Sequence, residues 1–574
     1  MPSRRQFLST GFSAVAAGLM GKPAWADCLF ANPGNVGSGV SSSGVGSSPF
    51  APVALRPASI MIDGLPFEPW FTGDSFQSIG EQHVSFPPFV RGLEDIPDHS
   101  ESVEVCVIGG GISGLAAAYM LRDLHPVLLD IHERFGGTAR GEQWAGHRYS
   151  LGNAYVITPD AGSYLDGFYR ELGLNEVYAL SEPPDPVALD GRLIENFWAG
   201  PGANLAESAP YRDYARVVQL MAQDLYPDIP FDTSDPDNQW ILDLDQKTFS
   251  ADLQARMEYD VPPLLQRAID AYFYSSFGAG PDEISAAGGW NFLAAEEYGR
   301  WVFPGGTAYM AQALWQKLHD VEQGQPLQGR RQMLRGGCTA LDVRFVGNEV
   351  QVTYAAPGGK LTSLRAKKVV LACPKFVARR LIHDIDVIDS AKAQAMSSLR
   401  YAAYLVVNVL LDRKVSGDFY DIFQLIDNSG DDTSDGCYAR PVADVLNGDF
   451  AVQDELPGSV LTMYWPVPGA WVRYCMAFDS PLRRFAKKLT PQIDQLLGQV
   501  GLGRDDVRQI RLSRWGHAMP VAAPELIANG TIDHLRRPLH DAIYFVNQDN
   551  WALPAVENSV LDAQIMTDAL RATL

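Results

Sequence analysis

The chain has 574 residues, of which 46% are hydrophobic and 20% charged, and a formal net charge of -22. That length is too great for one ordinary core, so two or more lobes are expected, with the composition of a globular protein. The charge speaks against nucleic acid or an anionic membrane surface as partner; it favours the approach of cationic small molecules, although solubility alone accounts for such a surface.

In chain order, the first 26 residues read as an export signal. Ser3-Arg4-Arg5-Gln6-Phe7-Leu8 is a twin-arginine pattern, followed by an apolar stretch from Leu8 to Met20, Lys22 and an Ala24-Trp25-Ala26 cleavage-like site. The apolar stretch is too short to span a membrane. This route exports folded proteins, so a periplasmic protein that acquires its cofactor inside the cell is expected. Cleavage removes three basic residues and no acid, so 46 − 3 = 43 basic residues face 68 acidic ones in the mature chain, about -25. Of the six cysteines none forms a C-x-x-C pair, which argues against a zinc knuckle or covalently attached haem; Cys106 and Cys373 sit in apolar runs and read as buried.

Residues 32–47 are a Gly/Ser-rich leader, and a proline-dotted arm continues to about residue 100. A strand at Val105–Ile108, a helix near Ile112–Leu124 and a second strand at Val127–Asp130 then surround Gly109-x-Gly111-x-x-Gly114. The first glycine permits the tight turn, the second lets backbone approach a pyrophosphate, and the third lets the helix pack on the sheet. Ile112 and Ser113 lie in this turn, where free N–H groups and the helix dipole meet phosphate. Asp130 is placed to bind a ribose hydroxyl pair; a helix cap or salt bridge is the alternative. Residues 341–373 show strand, turn, strand, turn, strand; a last strand is expected at Ile543–Val546 and a helix near Ser559–Leu570. The expected class is α/β: a discontinuous Rossmann-like dinucleotide-binding domain (101–160, 301–380 and 506–574) and a mixed α+β substrate domain (161–300 and 381–505).

Four residues beyond Asp130 the chain reads Arg134-Phe135-Gly136-Gly137-Thr138-Ala139-Arg140. Here it resembles the flavin-dependent amine oxidase superfamily, in which a second diglycine wraps the FAD pyrophosphate with backbone N–H groups. Arg134 or Arg140 can neutralise phosphate, or simply lie exposed. The resemblance extends thinly over most of residues 101–574. Gly152-Asn153-Ala154 resembles the segment near the flavin edge. Phe303-Pro304-Gly305-Gly306-Thr307-Ala308 and Arg514-Trp515-Gly516-His517 resemble elements of bacterial spermidine dehydrogenases. Phe545-Val546-Asn547-Gln548-Asp549 resembles the C-terminal "F-x-N-S-D", which implies Asp549 on the ribityl chain. Glu557-Asn558-Ser559-Val560 resembles the opening of the last helix, which implies Ser559 and Val560 at the flavin N1–C2=O edge. Ala340 stands where an adenine contact is expected. There are departures: Arg380 stands in rough alignment where many amine oxidases carry a lysine, and Asn547 and Asn558 replace glycines.

Amine oxidation asks for a C–H bond aimed at flavin N5 within an apolar or aromatic enclosure. Trp551 reads as a cover for the flavin face or as a core tryptophan. Trp515 and His517 are expected to face the substrate, His517 as a proton acceptor or as a satisfied core histidine. Tyr155 is a further aromatic candidate. No metal cluster and no Ser/His/Asp triad is visible. The leading expectation is an exported FAD enzyme oxidising a C–N bond of a small-molecule amine or polyamine by hydride transfer to N5, with oxygen or a periplasmic carrier as electron acceptor and no membrane span after signal cleavage. The alternatives are a desaturase or isomerase acting on an apolar C–C substrate, an amino-acid oxidase, and a catalytically weakened FAD-binding protein.

Overall fold

The computed structural model describes residues 47–52, 59–74, 96–201, 208–326, 328–425, 440–467, 476 and 481–574. The expected export signal and most of the leader, with Cys28, Cys437 and Cys475, lie outside the described residues. Two large sheets organise the rest.

The first sheet has seven strands. β1 (His99–Ile108) leads through α1 (Ile112–Met120) to β2 (Val127–Leu129), which pairs parallel with β1. Strand β1 starts six residues earlier than expected, and α1 stops short of Leu124. A short 3-10 turn covers Arg122–Leu124, because Pro126 disfavours helical geometry at His125, which takes φ 49°. Ala116, Ala117 and Ala118 are buried, so α1 packs closely between the last helix and the helix Ala308–Gly324. Thr339–Val346, Glu349–Ala355 and β3 (Leu361–Leu371) form the antiparallel meander read from residues 341–373, and β3 returns parallel to β1.

The second sheet has ten strands around β4 (Tyr401–Leu411) and β5 (Val507–Pro520), which pair antiparallel. Its core joins Leu405, Val407 and Val409 to Ile510 and Leu512. This corrects the expected boundary at residue 506: β5 belongs to the second sheet, and the chain returns to the first only with β6 (Ile543–Phe545), parallel to β3, and α2 (Val556–Arg571). Two arm segments, Leu65–Phe67 and Thr72–Gly73, add to the free edge of β5. Helices between residues 209 and 295 pack into an aromatic cluster that includes Phe249, Phe273, Phe277 and Trp290. Among the described residues no helix is long and apolar enough to cross a membrane.

Candidate active site and dinucleotide cavity

A cavity with an empty volume of about 1370 Å³, open mouth included, begins where β1 hands over to α1. Gly109 takes φ +109° there, and a Cβ would come within 2.6 Å of the Ala372 carbonyl oxygen. An added Cβ on Gly114 would collide with the Gly109 carbonyl, so Gly114 allows α1 to sit directly on the turn. Gly111 differs: only Gly137 Cα lies near an added Cβ, at 3.9 Å, so that carbon would fill cavity space instead of striking protein. The two glycine loops touch, with the Gly136 N–H donating to the Gly110 carbonyl at 2.8 Å. Asp130 faces the cavity while its carboxylate accepts the N–H groups of Gly110 (2.6 Å) and His132 (2.7 Å). Burial pushes the Asp130 carboxyl up.

Gly109, Gly111, Ile112, Ser113, Asp130, Gly136, Gly137, Thr138, Ala139, Arg140, Asn153, Ala340 and Ser559 all line this cavity. Others among the expected contacts do not. Gly114 serves packing. Arg134 turns away toward the Gly141 carbonyl (3.5 Å), which leaves Arg140 as the guanidinium of the site. Val560 is wholly buried in the α1–α2 core, because in the first turn of α2 only Val556 and Ser559, three residues apart, share the cavity face. Asp549 is buried against the Lys375 N–H (2.8 Å) and the Tyr401 hydroxyl (2.5 Å); Asn547 and Gln548 line the cavity in its place. The 3-10 turn Gln548–Asn550 causes this by swinging consecutive side chains to different sides. It also carries Trp551 away from both cavities, onto Phe231 (ring centroids 5.4 Å) and under Arg536 (4.2 Å), so Trp551 is a core residue and not a flavin cover. Arg380 does not line the cavity, and Lys375 is fully buried with its Nζ on Asn547 Oδ1 at 2.7 Å.

A second cavity, with an empty volume of about 1320 Å³, abuts the first. Thr138, Asn153, Trp515, Ala518, Ala555 and Val556 line both and form the partition. Trp515 is held there by its Nε1–H donating to the Leu151 carbonyl at 2.6 Å, with Arg140 over its ring at 5.1 Å. Gly152 and Tyr155 belong to this second chamber, whereas His517 faces the dinucleotide cavity and packs on Phe376, ring centroids 4.2 Å apart.

The chamber walls combine tyrosines (Tyr155, Tyr226, Tyr272, Tyr404, Tyr464) with five carboxylates, Asp228, Glu296, Asp421, Asp444 and Glu557. Sequence reasoning missed most of them. At one end Arg300, 2% exposed, pairs with Asp185 (2.5 Å), Glu296 (3.4 Å) and Asp421 (3.5 Å). The Tyr155 hydroxyl donates to Glu296 at 2.7 Å, and Ser275 donates to Asp444 at 2.8 Å. Asp421 Oδ1 and Asp444 Oδ1 have no partner, and Asn558 Nδ2 is an orphan donor at the same chamber. Burial pushes Asp444 up to about 7; Asp421 also rises, first through burial and then through Asp444 beside it. With one guanidinium against Asp185, Glu296, Asp421 and Asp444, this end either holds protons or attracts a cation.

The residues fit FAD: two glycine loops open onto the same cavity, Arg140 and Asp130 line it, and the cavity ends at the N-terminus of α2. The fold is shared with solved amine oxidases. A family model described as an NAD(P)-binding Rossmann-like domain matches residues 107–172. Oxidoreductase PigB of Serratia sp. (strain ATCC 39006) is 22% identical over 529 residues, 83% of this chain and 76% of its own. Cyclohexylamine oxidase from Brevibacterium oxydans IH-35A superimposes with a TM-score of 0.60 at 19% identity, covering 82% of this chain and 99% of its own. A wild-type putrescine oxidase bound to putrescine gives 0.58 at 15%, covering 82% and 99%.

Proposed function

We propose that this chain is an FAD-dependent oxidoreductase that oxidises the C–N bond of an amine, di- and polyamines included. The observation that carries the reading is the acidic, tyrosine-walled chamber sharing a partition with the dinucleotide cavity. Bound flavin supplies the hydride acceptor for the carbon beside nitrogen, leaving an imine that water hydrolyses. The chain's own residues do the rest. Carboxylates draw in an ammonium, and Asp444, pushed up to about 7, can take a proton from it on the unpartnered Oδ1 near neutral pH. Trp515, fixed through Leu151, and Tyr155, fixed through Glu296, hold the apolar part of the substrate and exclude water.

The same carboxylates disfavour the apolar C–C substrate expected of a desaturase or isomerase, since its binding would strip water from their charges without supplying a polar partner. The twin-arginine pattern supports export to the periplasm as a folded, loaded protein; changing Arg4 and Arg5 to lysine and fractionating cells tests that. The central test is an anaerobic absorption spectrum of the purified protein before and after a mixture of mono-, di- and polyamines. Bleaching of flavin bands is expected. Flavin bands that persist through the whole panel would remove the amine, and absence of flavin would remove the cofactor.

A further inference from the structure

The N-terminal arm meets the second glycine loop and its flanks at two places and the dinucleotide cavity at a third, none of them accounted for by a glycine motif. Ser47 exchanges backbone hydrogen bonds with the loop carrying the second diglycine: its N–H donates to Glu133 O (2.7 Å), and Phe135 N–H donates to Ser47 O (3.2 Å). Phe50 runs parallel to Gly141, and its ring fills the space that a side chain at Gly141 or Gly305 would need. Farther along, Thr72–Gly73 adds to β5; the Gly73 carbonyl accepts from Arg140 (3.3 Å), whose Nε donates to Gly137 O at 2.9 Å. Asp74 follows. Its N–H donates to Arg514 O (2.8 Å), its carboxylate accepts the Gly516 N–H (3.0 Å), and it lines the dinucleotide cavity beside Arg140 and His517.

The phosphate-wrapping loop is thus held between the cavity and the arm. We propose that residues 47–52 and 59–74 act as a strap over the FAD site, closing it from outside and giving it Asp74 as a wall residue that accepts an O–H or N–H of the dinucleotide. The proposal rests on the FAD reading. Bound FAD leaves only when the loop moves outward, so strap opening sets its release. The strap is fastened by short edge pairing, and such elements open locally at a fraction of the global free energy.

The test follows flavin fluorescence after dilution of the holoprotein, together with thermal unfolding of the holo and FAD-stripped forms. It compares wild type with Asp74→Ala, Gly73→Ala and an exposed arm control, Met61→Ala. Gly73 takes φ +81°, and an added Cβ would lie 2.5 Å from Arg514 O, so Gly73→Ala unfastens the strap; Asp74→Ala keeps its backbone and decides the matter if Gly73→Ala does not fold. About ten-fold or faster release is expected for both, with a narrower holo-minus-apo melting gap and wild-type behaviour for Met61→Ala. Equal lowering of both melting points with unchanged release would make the arm a mere edge cover and overturn the strap. A wild-type protein that binds no FAD at all overturns the underlying reading instead, and the strap with it.

Discussion

Replacing Asp444 by asparagine should change stability in a pH-dependent way. Burial pushes the Asp444 carboxyl from 3.8 up to about 7, so the native state holds this proton more tightly than the unfolded chain. The sign follows from linkage: below the unfolded pKa both states are protonated and burial costs nothing. As pH rises toward the folded pKa the unfolded state ionises first and stability falls; beyond it the full penalty applies. A shift of about 3 units at about 1.4 kcal/mol each puts that penalty near 4 kcal/mol. Asp421 titrates with Asp444 as a pair, so the figure belongs to both carboxylates together. Asparagine keeps an acceptor for Ser275 and cannot ionise. Denaturant unfolding of the amine-free protein should therefore show Asp444→Asn gaining on wild type by about 2 to 3 kcal/mol between about pH 5 and pH 8. Saturating diamine should raise wild-type stability more near pH 8 than near pH 5, and the variant should lose that difference. A stability gap that stays flat with pH would show that Asp444 carries no raised carboxyl and would refute the account of the chamber as a charge-hungry site.

Gly111→Ala should fold normally yet retain FAD at least about ten-fold more weakly, because the new methyl projects into empty cavity; Gly114→Ala should instead fail to fold, as its methyl meets the Gly109 carbonyl. Flavin content and circular dichroism of the two variants separate these outcomes. Trp551→Ala should destabilise by about 3–5 kcal/mol without altering the flavin spectrum, since its ring packs on Phe231 and Arg536 and lies outside both cavities. Arg300→Ala, which strips from Asp185, Glu296 and Asp421 the guanidinium they share, should cost about 3–5 kcal/mol, more above neutral pH than below it; equal loss at both would count against ionised partners.

The glycine loops were legible in the sequence because their geometry is local: strand, turn and helix lie within 25 residues, and Gly114 answers to the Gly109 carbonyl five positions before it. Asp549 and Trp551 were misplaced for an equally local reason that composition hides, a single 3-10 turn that redirects successive side chains. The chamber acids left one unused signal. Asp421 and Asp444 open buried strands, each followed by apolar residues, and a buried charge is costly unless it serves something. The arm left none, for Thr72 meets Ser513 across 441 positions and no short-range pattern encodes that pairing.

The two cavities share six lining residues, so whatever fills the dinucleotide groove lies against the residues that a substrate meets. Emptied of its cofactor, the protein offers a chamber of another shape, continuous with a groove meant for phosphates and a purine. A ligand screen run on stripped protein would therefore reward nucleotides and pass over the amines proposed for the finished chamber. Only the loaded form is honest bait.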